Sequence, residues 1–290
     1  MKISKDKKLC EEYIGKHPVI SISLKGINAA SYEAAFELTV KTIKGAVQKA
    51  GFLKMSDKLD EDEKKEYRAI LDENMSEATL FWSLKNLSEL LEKHYETKVI
   101  LLIDEYDVPL AKAFENGYYD KMVFLIRNLL EQTLKTNNSL KFAVMTGCMR
   151  ISKESIFTGL NNLKVLSITD ERFDEYFGFT DEDVKEMLRY YDREDHYEEM
   201  RNWYDGYRFG STDVYCPWDV LNHCDKIKEN AAAFPENYWV HTSSNEAVKK
   251  IIQMSGNITT KREIERLLAG EEIVKELSQE LTYQEMYQSG

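Results

Sequence analysis

The chain has 290 residues, of which 43% are hydrophobic and 11% aromatic, and its formal net charge is −12. This length and apolar content suit a folded protein of about two domains and exclude a disordered chain. The excess of acidic residues repels phosphate backbones, so we expect no non-specific nucleic-acid binding by this chain.

Apolar runs and helical periodicities predict an α/β domain over residues 1–170. The predicted elements in chain order are a strand at 19–24, a helix at 32–49, a charged helix or loop at 57–65, a helix at 79–94, a strand at 99–103, a helix at about 118–135, and strands at 140–146 and 163–168. The unbroken apolar run at 99–103 is typical of a strand buried on both faces of a sheet. Strands alternating with helices indicate a parallel sheet.

From 171 to 290 we predict a smaller, mostly helical domain. A helix at 181–191 is expected to begin after Thr180, with Asp183 completing a shortened capping box. Further helices are predicted at 245–254 and 261–268. This half contains two aromatic-rich segments, 203–210 and 214–221. The segment around Trp203 to Phe209 is interpreted as packing within the protein, with a partner-binding surface as the alternative.

The cysteines and the apolar segments limit which disulfides, zinc sites and membrane spans the sequence can contain. The four cysteines are widely spaced without a C-x-x-C pair, so we expect free thiols and no disulfide framework. His223 beside Cys224 has no second pair at ligand spacing, so the sequence predicts no zinc site. No stretch approaches the roughly 20 apolar residues of a membrane span. We therefore expect a cytoplasmic protein with no membrane partner.

The acids that end the second predicted strand are the most informative feature of the sequence. The run Val99–Ile103 leads directly into Asp104 and Glu105. Carboxylates are excluded from a sheet interior, so they occur where a strand emerges at its carboxyl end, which is where α/β proteins bind ligands. We predict that Asp104 binds Mg²⁺, directly or through water, and that Glu105 orients and deprotonates an attacking water.

This interpretation has two alternatives. A buried strand followed by an ordinary acidic loop stays open, because a short motif is a hypothesis that awaits its structural context. A glycosidase-type pair of carboxylates is disfavoured, since adjacent strand residues point to opposite faces of a sheet and would not flank one scissile bond.

The next predicted strand delivers a hydroxyl at the same edge. It ends at Thr146 and Gly147, and Arg150 follows. We predict that Thr146 senses the γ-phosphate or the lytic water and that Arg150 neutralises charge. The alternatives are a strand that simply ends at Gly147 and a surface ion pair for Arg150.

Five motifs in order resemble a known family. They are VILLIDEYDVPL (99–110), FAVMTGCMRISKESIFTGLNNL (142–163), YFGFTDEDVKEML (176–188), WYDGYRF (203–209) and VYCPWDVLNHC (214–224). Together they resemble the bacterial predicted AAA-ATPase family, over nearly the whole chain. The resemblance implies a P-loop NTPase-type parallel sheet flanked by helices, ATP and Mg²⁺ as ligands, ATP hydrolysis as the ancestral activity, and frequent fusion to a C-terminal PD-(D/E)xK nuclease-like domain.

The chain departs from this family at the phosphate-binding loop. No G-x-x-x-x-G-K-[S/T] sequence occurs in it, whereas the family carries a Walker A strand and loop upstream of the segment that here starts at Lys2. The resemblance implies that this strand would lie between the strand ending at Thr146 and the one near Val165. We therefore expect an incomplete sheet, and an internal piece of a longer protein that is truncated at both ends.

Loss of this loop predicts an inactive chain. The loop provides the backbone N–H groups and the lysine that hold the nucleotide phosphates. We therefore expect an ATPase-like protein without activity by itself, with a protein partner that supplies the missing segment. The alternative is a non-catalytic interaction or regulatory module that acts with a partner chain.

Overall fold

The computed structural model describes residues 2–148, 163–239 and 258–274. These residues fall into two compact units, the first made of 2–148, 163 and 258–274 and the second of 164–239. Among the helices in these ranges, none has both the length and the apolar character needed to cross a bilayer.

The first unit is built on a parallel sheet of three strands in the order β1-β2-β3. The strands are β1 (Val19–Ser23), β2 (Val99–Asp104) and β3 (Leu140–Met145). The helices are α1 (Lys7–Tyr13), α2 (Tyr32–Gln48), α3 (Glu61–Ile70), α4 (Glu77–Tyr95), α5 (Val108–Glu115), α6 (Tyr119–Leu134) and α10 (Ile258–Leu268). Ile103 of β2 lies between Ile22 and Met145 in the parallel register. The predicted α/β fold class is confirmed.

The core of the first unit lies on one face of this sheet. Ile20, Ile22, Leu101 and Ile103 are buried in one cluster with the apolar stripes of α2, α4 and α6. Each of these helices repeats apolar residues every three or four positions, which gives it a single stripe to bury.

The other face of the sheet is largely open. Leu102, Phe142 and Val144 are 37%, 40% and 46% exposed. Helix α1 reaches only the start of this face, where the rings of Tyr13 and Phe142 are 6.1 Å apart. The expectation that 99–103 is buried on both faces is therefore wrong at Leu102, because the helices of the described residues pack against the opposite face.

The second unit combines three helices with a short antiparallel pair of strands. Its elements are α7 (Asp181–Tyr190), α8 (Tyr197–Tyr204), β4 (Asp205–Phe209), β5 (Thr212–Tyr215) and α9 (Pro217–Glu229). Thr180 and Asp183 form the predicted capping box of α7. The hairpin β4–β5 was not predicted, and it divides the aromatic segment 203–210 between the end of α8 and a strand.

The predicted strand at 163–168 is wrong. These residues have no regular secondary structure, and Leu163 and Ile168 are 39% and 56% exposed. An apolar run becomes a strand only when a neighbour accepts its backbone hydrogen bonds, and no described strand pairs with this one. The predicted helix at 261–268 is confirmed within α10, whereas the one at 245–254 lies outside the described residues.

Candidate functional site

Asp104 and Thr146 meet at the carboxyl edge of the parallel sheet. Asp104 is the last residue of β2, and Thr146 follows β3 directly. The hydroxyl of Thr146 donates a hydrogen bond to Oδ1 of Asp104 at 2.5 Å. The backbone N–H of Thr146 donates to the carbonyl of Ile103 at 2.9 Å, and Tyr106 N–H donates to the carbonyl of Thr146 at 3.1 Å. The ladder between the two strands thus continues to their ends and brings both side chains together.

Glu105 occupies a turn that an L-residue rarely adopts. Its φ is +53°, in the left-handed region, which costs a non-glycine residue about 1–2 kcal/mol. Its carboxylate lies 3.7 Å from the ammonium of Lys25, and its side chain is 29% exposed. Lys25 follows β1, whose end is tied to β2 by the bond from Leu24 N–H to the carbonyl of Asp104 at 2.9 Å.

Asp107 joins the loops that follow β2 and β3. It is 4% exposed, and its Oδ2 accepts a hydrogen bond from Cys148 N–H at 3.1 Å. Gly147 is required by this close approach, since a Cβ there would lie 2.6 Å from Cε1 of Tyr106. Asp107 is not among the predicted site residues, although it stands in the same acidic run as Asp104 and Glu105.

The carboxylates make this edge of the sheet electronegative. Partial burial and the nearby carboxylates of Asp107, Glu105 and Asp104 raise the pKa of the Cys148 thiol, against a smaller opposite effect of Lys25. Such a field repels bare phosphate and attracts a cation. Carboxylate and hydroxyl oxygens are hard ligands of the kind that Mg²⁺ prefers, and the bond from Thr146 engages only Oδ1 of Asp104. The residues at this edge therefore fit Mg²⁺.

Three of the four predicted site residues are brought together. Asp104, Glu105 and Thr146 share the carboxyl edge of β2 and β3, whereas Arg150 lies outside the described residues. Their chemical roles remain predictions.

Comparison with known proteins gives two matches. A family model described as Predicted AAA-ATPase matches residues 2–157. A protein of Azotobacter chroococcum mcd 1, described as an uncharacterized protein in the vnfD 5' region, is 33% identical over 137 residues, which are 43% of this chain and 24% of that protein. The matched region is thus a minor part of this relative, and its description assigns no activity. No solved structure matches the chain.

Proposed function

The chain belongs to the predicted AAA-ATPase family, and we propose that Asp104, Glu105 and Thr146 form the metal-binding half of an ATP site. The observation that carries the proposal is the 2.5 Å hydrogen bond between Thr146 and Asp104, which joins the ends of two adjacent parallel strands. Ligands of open α/β sheets bind outside this edge.

The proposed roles follow from the chemistry of phosphoryl transfer. Asp104 holds Mg²⁺, directly or through a water, and the ion screens the negative edge from the nucleotide phosphates. Glu105 orients and deprotonates the attacking water, Thr146 contacts the γ-phosphate or that water, and Arg150 neutralises charge. The carboxylate of Glu105 lies 3.7 Å from the ammonium of the exposed Lys25, a contact that competes with its proposed role as a base.

We further propose that these 290 residues hydrolyse ATP at a negligible rate by themselves. Positioning and electrostatic stabilisation account for nearly all phosphoryl-transfer catalysis, and the sequence contains no G-x-x-x-x-G-K-[S/T] loop to provide them. A complete site would take its phosphate-binding loop from another segment or from another chain.

Metal binding tests the half-site directly. Mn²⁺, which replaces Mg²⁺ and is visible by electron paramagnetic resonance, is titrated into the full chain and into Asp104→Asn. Asp57→Asn removes an exposed acid away from the sheet edge and is the matched control. We expect Asp104→Asn alone to weaken Mn²⁺ binding. Equal binding by all three proteins would refute the metal role of Asp104.

ATP turnover tests the second half of the proposal. Phosphate release by the purified chain is measured with Mg²⁺ and compared with Glu105→Gln. We expect no release above background in either protein. Turnover that disappears in Glu105→Gln would show that the chain is an ATPase by itself and would overturn the proposed dependence on another segment.

The open side of β3 favours a second candidate function, that of an interaction module. Within the described ranges β3 pairs with β2 alone, and Phe142 and Val144 stay exposed beside its other edge. A free, apolar strand edge is a template on which another chain can add a strand. A partner strand here would also occupy the place that the family resemblance assigns to the Walker A strand.

Light scattering after size exclusion tests this candidate. Val144→Lys places a charge on the open face of β3, and Lys141→Ala is a control on the same strand that removes one. We expect self-association of the wild type that Val144→Lys reduces and Lys141→Ala does not. A wild-type chain that is monomeric at every concentration would argue against a free strand edge in solution.

A further inference from the structure

The second unit contains a cluster of two histidines and a glutamate. His196 immediately precedes α8, Glu199 lies in the first turn of α8, and His223 lies within α9. Oε1 of Glu199 is 3.0 Å from Nδ1 of His196 and 3.0 Å from Nε2 of His223. The three atoms all lie within 4.8 Å of one another.

The spacing of these atoms matches the ligand set of a transition metal. Zinc takes histidine nitrogen and carboxylate oxygen at about 2.0–2.2 Å, which puts tetrahedral ligands about 3.3 Å apart. The two contacts of Glu199 would open by a few tenths of an ångström to reach that separation, and the two ring nitrogens, which lie within 4.8 Å of each other, would adjust to it as well. We propose that His196, Glu199 and His223 bind a divalent transition-metal ion, with zinc as the best fit and water as the fourth ligand.

Burial and exposure around the cluster suit such a site. The side chain of His223 is fully buried and that of His196 is 11% exposed, so both rings have fixed positions. Glu199 is 34% exposed, so solvent reaches the cluster at this side chain. Three protein ligands with one open position are the arrangement of catalytic rather than structural zinc sites.

Burial and hydrogen bonding shift the pKa values of His223 and Glu199. Burial lowers the pKa of His223 and keeps its ring neutral. Burial alone would raise the pKa of Glu199, but hydrogen bonds from His196 and His223 outweigh this effect and hold the pKa below its ordinary value.

The second nitrogen of each ring decides how tightly the ion is held. Nε2 of His196 lies 4.0 Å from the exposed carboxylate of Asp195, which would have to move closer to accept the ring N–H once Nδ1 binds a metal. Nδ1 of His223 has no hydrogen-bond partner among the residues described. Metal binding would place a proton on this buried nitrogen, which weakens the site relative to one with two supported histidines.

Without a metal the same atoms form a hydrogen-bond network between the start of α8 and α9. Titration with zinc distinguishes this hydrogen-bonded cluster from a zinc-bound one. The full chain is stripped with EDTA, kept reduced, and titrated with Zn²⁺ by calorimetry, and the thermal midpoint is recorded with and without the ion. Co²⁺ is then added as a spectroscopic probe. The variants are His196→Gln and Glu199→Gln, and His17→Gln removes a histidine of the first unit as the control.

We expect one zinc ion per chain, a raised thermal midpoint, and the visible absorption of tetrahedral Co²⁺ with nitrogen and oxygen ligands. Both cluster variants should bind zinc more than about tenfold more weakly, whereas His17→Gln should bind as the wild type does. Zinc affinity that is unchanged in Glu199→Gln and His196→Gln would overturn the proposal. So would the absence of zinc binding to a folded wild-type chain, or an intense thiolate-to-cobalt band that places the ion on cysteine.

Discussion

Replacing Glu199 by alanine tests what holds α8 and α9 together. Its Oε1 accepts hydrogen bonds from both His196 and His223 at 3.0 Å. The alanine variant leaves Nε2–H of His223 without its acceptor inside the protein, which costs about 1–3 kcal/mol, and removes a second, charge-assisted bond. Because the carboxylate of Glu199 is partly solvated, we expect a loss of about 2–4 kcal/mol from the free energy of unfolding of the second unit.

The assay is urea unfolding in the presence of EDTA, so that no metal contributes. Of the four tryptophans, Trp203, Trp218 and Trp239 belong to the second unit, and Trp82 is the only one outside it. In a Trp82→Phe background the fluorescence therefore reports the second unit. The expected loss corresponds to a transition midpoint lower by about 1–3 M urea.

The matched control is Glu198→Ala, which removes an exposed acid from the same first turn of α8. It should change the free energy of unfolding by less than about 0.5 kcal/mol. Glu199→Gln should recover part of the loss, since an amide oxygen still accepts a hydrogen bond. Coincident unfolding curves for Glu198→Ala and Glu199→Ala would refute the reasoning, because the two histidine contacts would then stabilise nothing.

Three further predictions concern pH, the core and the strained turn. Burial lowers the pKa of His223 below its usual 6.5, so the unfolded chain takes up the proton before the folded chain does. The free energy of unfolding of the second unit should therefore fall as the pH drops below about 6.5. A urea midpoint that stays constant between pH 7 and pH 5 would contradict this. Leu101 is fully buried, so Leu101→Ala should lower the free energy of unfolding, measured by calorimetry, by about 2–5 kcal/mol. Leu102 is exposed, and Leu102→Ala should lower it clearly less. Glu105→Gly should relieve the left-handed backbone and raise stability by up to about 1 kcal/mol; a lower thermal midpoint would show that the Lys25 contact outweighs the strain.

The candidate site at the sheet edge could be predicted because its signals are local and ordered. An apolar run that ends in Asp104 and Glu105, followed by a second strand that ends in Thr146, specifies two neighbouring strand ends once the sheet is parallel. The contact between Asp104 and Thr146 is a consequence of that register. The left-handed turn at Glu105 could not be predicted, since glutamate is not a residue type that favours a positive φ.

The histidine cluster was not predicted from the sequence, because its residues are not neighbours along the chain. Its residues come from the start of α8 and from α9, and Glu199 and His223 are 24 residues apart in the chain. His196 and Glu199 stand three residues apart, a spacing that suits two ligands on one helical turn, but nothing near them in the sequence marks His223 as their partner, and the cluster contains His223 without its neighbour Cys224.

The sequence by itself determined those features that depend on neighbours along the chain. The capping box of Thr180 and Asp183, the apolar stripes of the helices and the runs that become β1, β2 and β3 are set by side chains within a few residues of one another. Only the tertiary structure decided which runs find a partner. It left 163–168 without a strand neighbour, exposed one face of the sheet at Leu102, and brought together His196, Glu199 and His223, because strand pairing and side-chain clustering depend on contacts between distant parts of the chain.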